Sequence, residues 1–350
     1  MRKLTRRTFL AGSAAVAAAT AVQWGRAPRA SAQTGVLNLY TSRHYDTDDT
    51  LYQSFTERTG VQVNMVEASA DELIERIKSE GANSPADILI TVDAGRLWRA
   101  EQDGLFQPVS SNVLNSSVPS NLRHPDGLWF GFSKRARVIM YHKDRVNPAE
   151  LSTYADLVDP KWRGKLLTRS SSNIYSQSLT GAMLHHMGPE ATEEWARGLV
   201  ANFAREPEGG DTAQIQALAA GVGDIAISNS YYLVRMLKSE DPAERAVAEQ
   251  VGMFFPDQRG NGTHVNISGG GVLQNARNYE AAVQFLEHLV SAESQQYFAT
   301  GNNEYPVVEG TPIDSTLASF GTFKADSLDA RVFGSNNEEA LRIMDRAGWR

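Results

Sequence analysis

Four tyrosines and a histidine in this chain sit where metal chemistry would place them. Tyr45 lies in Thr41-Ser42-Arg43-His44-Tyr45-Asp46, Tyr175 closes Ser170-Ser171-Ser172-Asn173-Ile174-Tyr175, and Tyr231 and Tyr232 follow Asn229-Ser230. Each block comes directly after a short strand-like segment and leads into a helix-like one. Ligands of open α/β sheets bind beyond the carboxyl ends of strands. If the two halves of the chain face each other, four phenols and the His44 imidazole converge on one cleft. Phenolate is a hard, anionic oxygen donor that suits a hard, highly charged cation such as Fe3+ far better than Cu+ or Zn2+. A free tyrosine ionises near pH ~10, so the charge of the metal must drive the deprotonation. Binding would therefore release protons, and acid would weaken it. Helix N-termini stabilise anions and so help to hold phenolates.

The same chemistry limits the surroundings. Adjacent tyrosines in a helix point about 100° apart, so Tyr231 and Tyr232 reach one ion only if it sits near the helix end. Four phenolates around Fe3+ leave one net negative charge, which a buried site must compensate. Arg43, Arg135 and Arg235, the last one turn after Tyr231, are the candidates for that outer shell.

The elements that must position these side chains follow from periodicity. Residues 36–40 alternate like a strand. Asp46 or Thr47 can cap a helix running to about Thr59, which Gly60 stops. A strand over 61–66, a helix from the Ser69 cap to Glu80, a short strand over 86–90 and a helix ending before Gly104 follow. Strands alternating with helices imply a parallel sheet. Residues 128–141 are then long, apolar and extended, as a crossing between lobes would be. A second α/β pattern has strands over 165–168, 224–228 and 251–255 and helices over 173–186, 190–203, 212–220 and from Tyr231 to Lys238. Residues 264–273 resemble a return crossing, and 279–300 and 337–347 are helical. The expected fold is α/β and bilobal, two α/β lobes joined by two extended hinge crossings, closing on a ligand by a hinge. The expected divisions are a signal at 1–32, a first lobe of 34–133 plus about 265–315, a second lobe of 134–264, and C-terminal helices, 316–350, packing on the lobes.

At these residues a resemblance is plain. YTSRHYDTDD at 40–49, SSNIYSQSL at 171–179, SNSYYLVRML at 228–237 and KRARVIMY at 134–141 resemble the corresponding blocks of the FutA-type ferric-iron-binding proteins of bacterial iron ABC importers. The similarity covers essentially the whole mature chain. It implies a class II periplasmic-binding-protein fold, related to transferrin lobes, and Fe3+ held by Tyr45, Tyr175, Tyr231 and Tyr232. His44 is a further ligand in some members and turns away in others. Water, His44 or a recruited anion would complete the shell. The resemblance also implies a membrane permease as partner and a monomeric receptor.

The N-terminus reads as an address. Thr5-Arg6-Arg7-Thr8-Phe9-Leu10 is a twin-arginine sequence, an Ala-rich apolar stretch follows, and Ala30-Ser31-Ala32 is a small-x-small cleavage signal. Cleavage after Ala32 would release the chain into the periplasm after handling by the twin-arginine translocase. No cysteine occurs in the chain, which excludes disulfides and thiolate metal sites. Without the six basic residues of the signal, 28 Lys and Arg remain against 41 Asp and Glu, a net charge of −13. That acidity opposes nucleic-acid binding.

Other motifs have plainer readings. His185 and His186 are helix neighbours that do not share a face. Asp46-Thr47-Asp48-Asp49 lacks the Gly and distal Glu of a calcium loop and reads as helix capping. Gly269-Gly270-Gly271 precedes no helix-opening Lys motif and reads as a tight turn beside the hinge. No catalytic arrangement stands out, so an enzyme is not expected. Two other readings use the same residues: a receptor for a small organic solute such as a polyamine or sugar, with the tyrosines stacking on it, and a tyrosine-ligated metalloenzyme.

Overall fold

The computed structural model describes residues 35–350; the expected signal at 1–32 lies outside the described residues. The first α/β run comprises β1 (Val36–Thr41), α1 (Asp49–Thr59), β2 (Gln62–Glu67), α2 (Ala70–Glu80), β3 (Ile88–Thr91), α3 (Ala94–Gln102) and α4 (Asn112–Ser117). Ser69 caps α2 as the sequence pattern requires, in a reciprocal box with Glu72. The long strand β4 (Phe130–His142) leads into β5 (Leu166–Leu167), α5 (Ile174–Met187), α6 (Pro189–Asn202), α7 (Asp211–Ala219), β6 (Ile225–Asn229), α8 (Ser230–Leu237), α9 (Pro242–Glu249) and β7 (Val251–Phe254). The chain returns through β8 (Val265–Val272) to α10 (Tyr279–Leu289), α11 (Ala292–Thr300), β9 (Tyr305–Pro306), α12 (Ser315–Ala318), α13 (Arg331–Ser335) and α14 (Asn337–Ala347).

The strands run in the order β2-β1-β3-β8-β4-β6-β5, with β7 and β9 also on β4. β1 is parallel to β2 and β3, and β5 to β6, as the alternation of strands and helices predicts. β8 and β4 run against their neighbours. β4 serves both lobes: Phe130–Ala136 pairs with β8, and Arg137–His142 pairs with β6 and β7. One strand thus carries the chain from the first lobe to the second, and Arg135 and Arg137 stand on either side of the change of partner. Two cores flank this junction. One packs Leu37, Phe55, Ile88, Trp129 and Phe285 around the first sheet. The second sheet is covered on both faces, by Met140, Leu218 and Val234 in one cluster and by Ile139, Trp195 and Trp349 in another.

Three expectations change. Gly269, Gly270 and Gly271 form no turn; they lie inside β8, between β3 and β4. A Cβ on Gly271 would stand 2.0 Å from the Leu128 carbonyl oxygen and one on Gly270 2.5 Å from that of Leu89, so the backbones approach where only hydrogen fits. The aspartates at 46–49 do not cap α1 through Asp48, whose carboxylate instead binds Arg43 and Asn302. The helix expected over 279–300 breaks into α10 and α11, because Ser291 caps the second by accepting the Ser294 N–H.

Candidate metal centre

The site assembles from the N-terminal ends of three helical segments. Tyr45 directly precedes the single 3-10 turn that leads into α1. Tyr175 is the second residue of α5, and its N–H is held by the Asn173 cap at 3.0 Å. Tyr231 and Tyr232 are the second and third residues of α8, which follows β6 without a connecting loop. The structure brings the four rings together. Tyr45 and Tyr231 meet edge to face at 6.3 Å between centroids. Tyr231 and Tyr232 stack at 4.2 Å and 29°. Tyr175 joins them through electrostatics: ionising Tyr175, Tyr45 or Tyr232 would each oppose ionisation of Tyr231.

Burial governs the chemistry of these phenols. It pushes Tyr175 up to about 12, with Arg135 pulling the other way. Burial likewise raises Tyr45, reinforced by Glu304 and opposed by Arg43, and raises Tyr231, reinforced by the other phenols. Without a metal these three are neutral phenols at physiological pH.

A ring of arginines surrounds them. Arg43 lies over the Tyr45 ring at 4.6 Å. Arg135, Arg137 and Arg169 lie 5.6, 5.8 and 5.4 Å from the centroid of Tyr175. Arg235, on the exposed side of α8, covers Tyr232 at 5.2 Å and bonds the Thr212 hydroxyl. Arg43 is clamped by Asp48 at 2.6 Å and Glu304 at 3.2 Å. Arg135 reaches Glu304 at 3.5 Å, and Asp211 joins Arg137 at 2.6 Å to Arg169 at 3.3 Å. Burial works against the Arg135 charge, and the neighbouring phenols and Glu304 outweigh it. Several buried atoms here have no hydrogen-bond partner among the described residues: Arg135 Nε, Arg137 Nε and Nη2, Arg169 Nε and Glu304 Oε1. Buried polar atoms are ordinarily paired, so their clustering marks a polar site.

Of the residues singled out in the sequence, the four tyrosines, Arg43, Arg135 and Arg235 come together here. His44 does not join them in this conformation. Its Nδ1 lies 2.5 Å from Glu67, and 55% of its side chain is exposed. The exposed carboxylate at the end of β2 offers it a partner that the buried cluster does not. Arg137, Arg169, Asp211 and Glu304 were missed. Arg137 had a signal: it lies two residues beyond Arg135 on an extended segment, hence on the same face. Glu304 and Asp211 had none, because they reach the site only through tertiary packing. Among the described residues, no group of three or more His, Cys, Asp or Glu could hold a metal.

A two-lobed α/β fold with a polar site assembled from both lobes defines a solute-binding protein. The family model for bacterial extracellular solute-binding proteins matches residues 50–319. The chain is 58% identical to iron uptake protein A2 of Synechocystis, over 99% of both chains. It is 26% identical to an Fe(3+)-binding periplasmic protein of Serratia marcescens, over 92% of this chain and 93% of that one. Its structure matches that of a Trichodesmium FutA protein in complex with iron and citrate ligands, with a TM-score of 0.88 and 61% identity, covering 90% of this chain and 100% of the other. The chain belongs to the bacterial extracellular solute-binding protein family.

Proposed function

We propose that this protein is a periplasmic receptor that captures Fe3+ with the phenolates of Tyr45, Tyr175, Tyr231 and Tyr232 and delivers it to an ABC permease. The observation that carries this reading is the meeting of four phenols inside a ring of arginines, in a chain whose 58%-identical relative is an iron uptake protein.

Charge matching supports it. Arg43, Arg135, Arg137, Arg169 and Arg235 surround the phenols against the carboxylates of Asp48, Glu304 and Asp211, an excess of positive charge. Fe3+ with four phenolates carries one negative charge, which that positive excess offsets. The Tyr231–Tyr232 stack at 4.2 Å leaves no slot between those rings for an organic solute. The arginine atoms without partners would suit water or an anion completing the shell. His44, held by Glu67, is not among the proposed ligands; it would reach the iron only by rotating away from that carboxylate.

The lobes are proposed to divide at 34–133 plus about 265–315 and at 134–264, with 316–350 packed on both. Export by the twin-arginine route, with cleavage after Ala32, and a monomeric state belong to the same proposal, and no catalytic turnover is part of it. The test is equilibrium dialysis of the mature protein against ferric citrate. One iron per chain should be retained and lost in the Tyr231→Phe/Tyr232→Phe variant. Retention of no iron by the parent protein would refute the reading.

A further inference from the structure

Asp93 lies outside the cluster of tyrosines and arginines, yet it joins the elements that carry them. It caps α3 of the first lobe, with Oδ1 accepting the Gly95 N–H at 2.7 Å. The same carboxylate accepts the Ser178 hydroxyl from α5 of the second lobe, at 3.0 Å on Oδ1 and 3.1 Å on Oδ2. It also accepts Asn266 Nδ2 from β8, the return crossing, at 2.8 Å. Asn266 in turn accepts the Ala94 N–H at 3.0 Å, so strand and helix are bonded twice. Asp93 and Ser178 are both 0% exposed. Burial lifts the Asp93 carboxyl to about 6 against the pull of Arg135. Both of its oxygens act as acceptors, from Gly95, Ser178 and Asn266, as a carboxylate's do, and hydrogen bonds to a carboxylate are charge-assisted.

Ser178 stands three residues after Tyr175 on α5, on the same helical face. A bond that fixes Ser178 against the first lobe therefore fixes the rotation and advance of Tyr175 toward Tyr45. The C-terminal segment braces the same junction. α13 packs on both α3 and α5, with Gly334 so close to Trp98 that an added Cβ would lie 2.3 Å from the Trp98 Cβ. Asn336 and Asn337 bond the Gly181 carbonyl and Gln177 Oε1 of α5, at 2.9 and 2.8 Å.

We infer that Asp93 is a positioning residue: through Ser178 it latches the two lobes together and holds Tyr175 in register with the first-lobe phenol. The latch acts on the lobes themselves, with or without metal; its effect on iron rests on the ferric reading given above. It slows iron release, because opening the cleft must break charge-assisted hydrogen bonds at buried residues. It also keeps the iron-free cleft closed or nearly so.

Three variants separate the latch from the helix cap. Asp93→Ser keeps a capping oxygen on α3 but is too short to reach α5. Ser178→Ala removes the partner and leaves the cap intact, and the double variant tests coupling. Two measurements are made: the radius of gyration of the iron-free protein by small-angle scattering, and the rate of iron release to an excess chelator. Each single variant should enlarge the iron-free protein and speed release by about tenfold, the usual scale of a hydrogen bond to a charged group. The double variant should be no worse than Asp93→Ser alone. The latch is overturned if the singles leave the radius and the release rate unchanged, or if their effects simply add. If the protein proves not to bind iron, the scattering arm still decides the latch, so the two readings fail separately.

Discussion

Tyr231 and Tyr232 are sequence neighbours in one helix, yet their rings stack at 4.2 Å between centroids and 29° between planes. Helix geometry would send neighbouring side chains about 100° apart. These two meet because they occupy the first turn of α8, immediately beyond β6, where both side chains can turn toward the open helix end. The pair therefore sets two phenol rings side by side at the start of α8. Replacing either by Phe should cost more than about 100-fold in ferric affinity, since even outer-shell partners of metal ligands are worth 10–100-fold. Competition against a chelator of known affinity measures this. An affinity unchanged in both single variants would remove the pair from the site.

Proton balance provides a second test. The half-buried phenols of Tyr45 and Tyr175 and the buried phenol of Tyr231 have raised pKa values, and a bound metal must displace their protons. Ferric affinity should rise with pH across the acidic and neutral range and fall as acid returns those protons. In the iron-free protein the sign is opposite for folding. A group whose folded pKa is raised contributes stability that is complete below its unfolded value, about 10, and is lost as pH climbs through the folded one. Denaturation midpoints of the iron-free protein should decline above about pH 10, and those of the iron-loaded protein should decline less. Parallel decline of the two would contradict phenolate ligation.

Arg137 is 2% exposed and shares Asp211 with Arg169. Arg137→Gln breaks a buried ion pair and removes one of the cations that would offset the proposed ferric site. Removing one partner of a buried pair costs about 3–5 kcal/mol, so urea unfolding should show a loss of that order, with weakened iron binding. A loss below about 1 kcal/mol would show that Asp211 is satisfied without Arg137.

His44 is expected to matter little. Its contact with Glu67 lies outside the tyrosine cluster. His44→Ala should leave one iron bound per chain, with affinity changed by less than about threefold, under ~0.7 kcal/mol. A large drop would mean that the imidazole swings in when iron arrives.

Gly271 is a structural test. A Cβ there would meet the Leu128 carbonyl oxygen at 2.0 Å, within a β8 paired on both edges. Backbone cannot yield as a flexible side chain can, so Gly271→Ala should cost about 3 kcal/mol or more, read from urea denaturation.

Much of this was legible in the sequence, because the relevant signals are local. The Ser69 cap and the alternation of strands with helices set the elements within a residue or two. The tyrosines were legible because each follows a strand end, a position with a known geometric consequence. The glycine triplet was misread as a turn because composition alone does not tell a bend from a close approach of neighbouring strands. Asp48, Asp211 and Glu304 could not be assigned, since each finds its arginine through packing between segments far apart in sequence: Glu304 and Arg43 are separated by 261 residues. Asp93 was not singled out in the sequence, although its carboxylate caps α3 and also bonds Ser178 of α5.

The central claim is that ferric iron here is bound by phenolate oxygen. The most direct measurement is the visible spectrum of the mature protein titrated with ferric citrate. A broad red-brown charge-transfer band should grow to saturation at one iron per chain and vanish in the Tyr231→Phe/Tyr232→Phe variant. An iron-loaded protein that stays colourless, or a band that survives in that variant, would contradict the account.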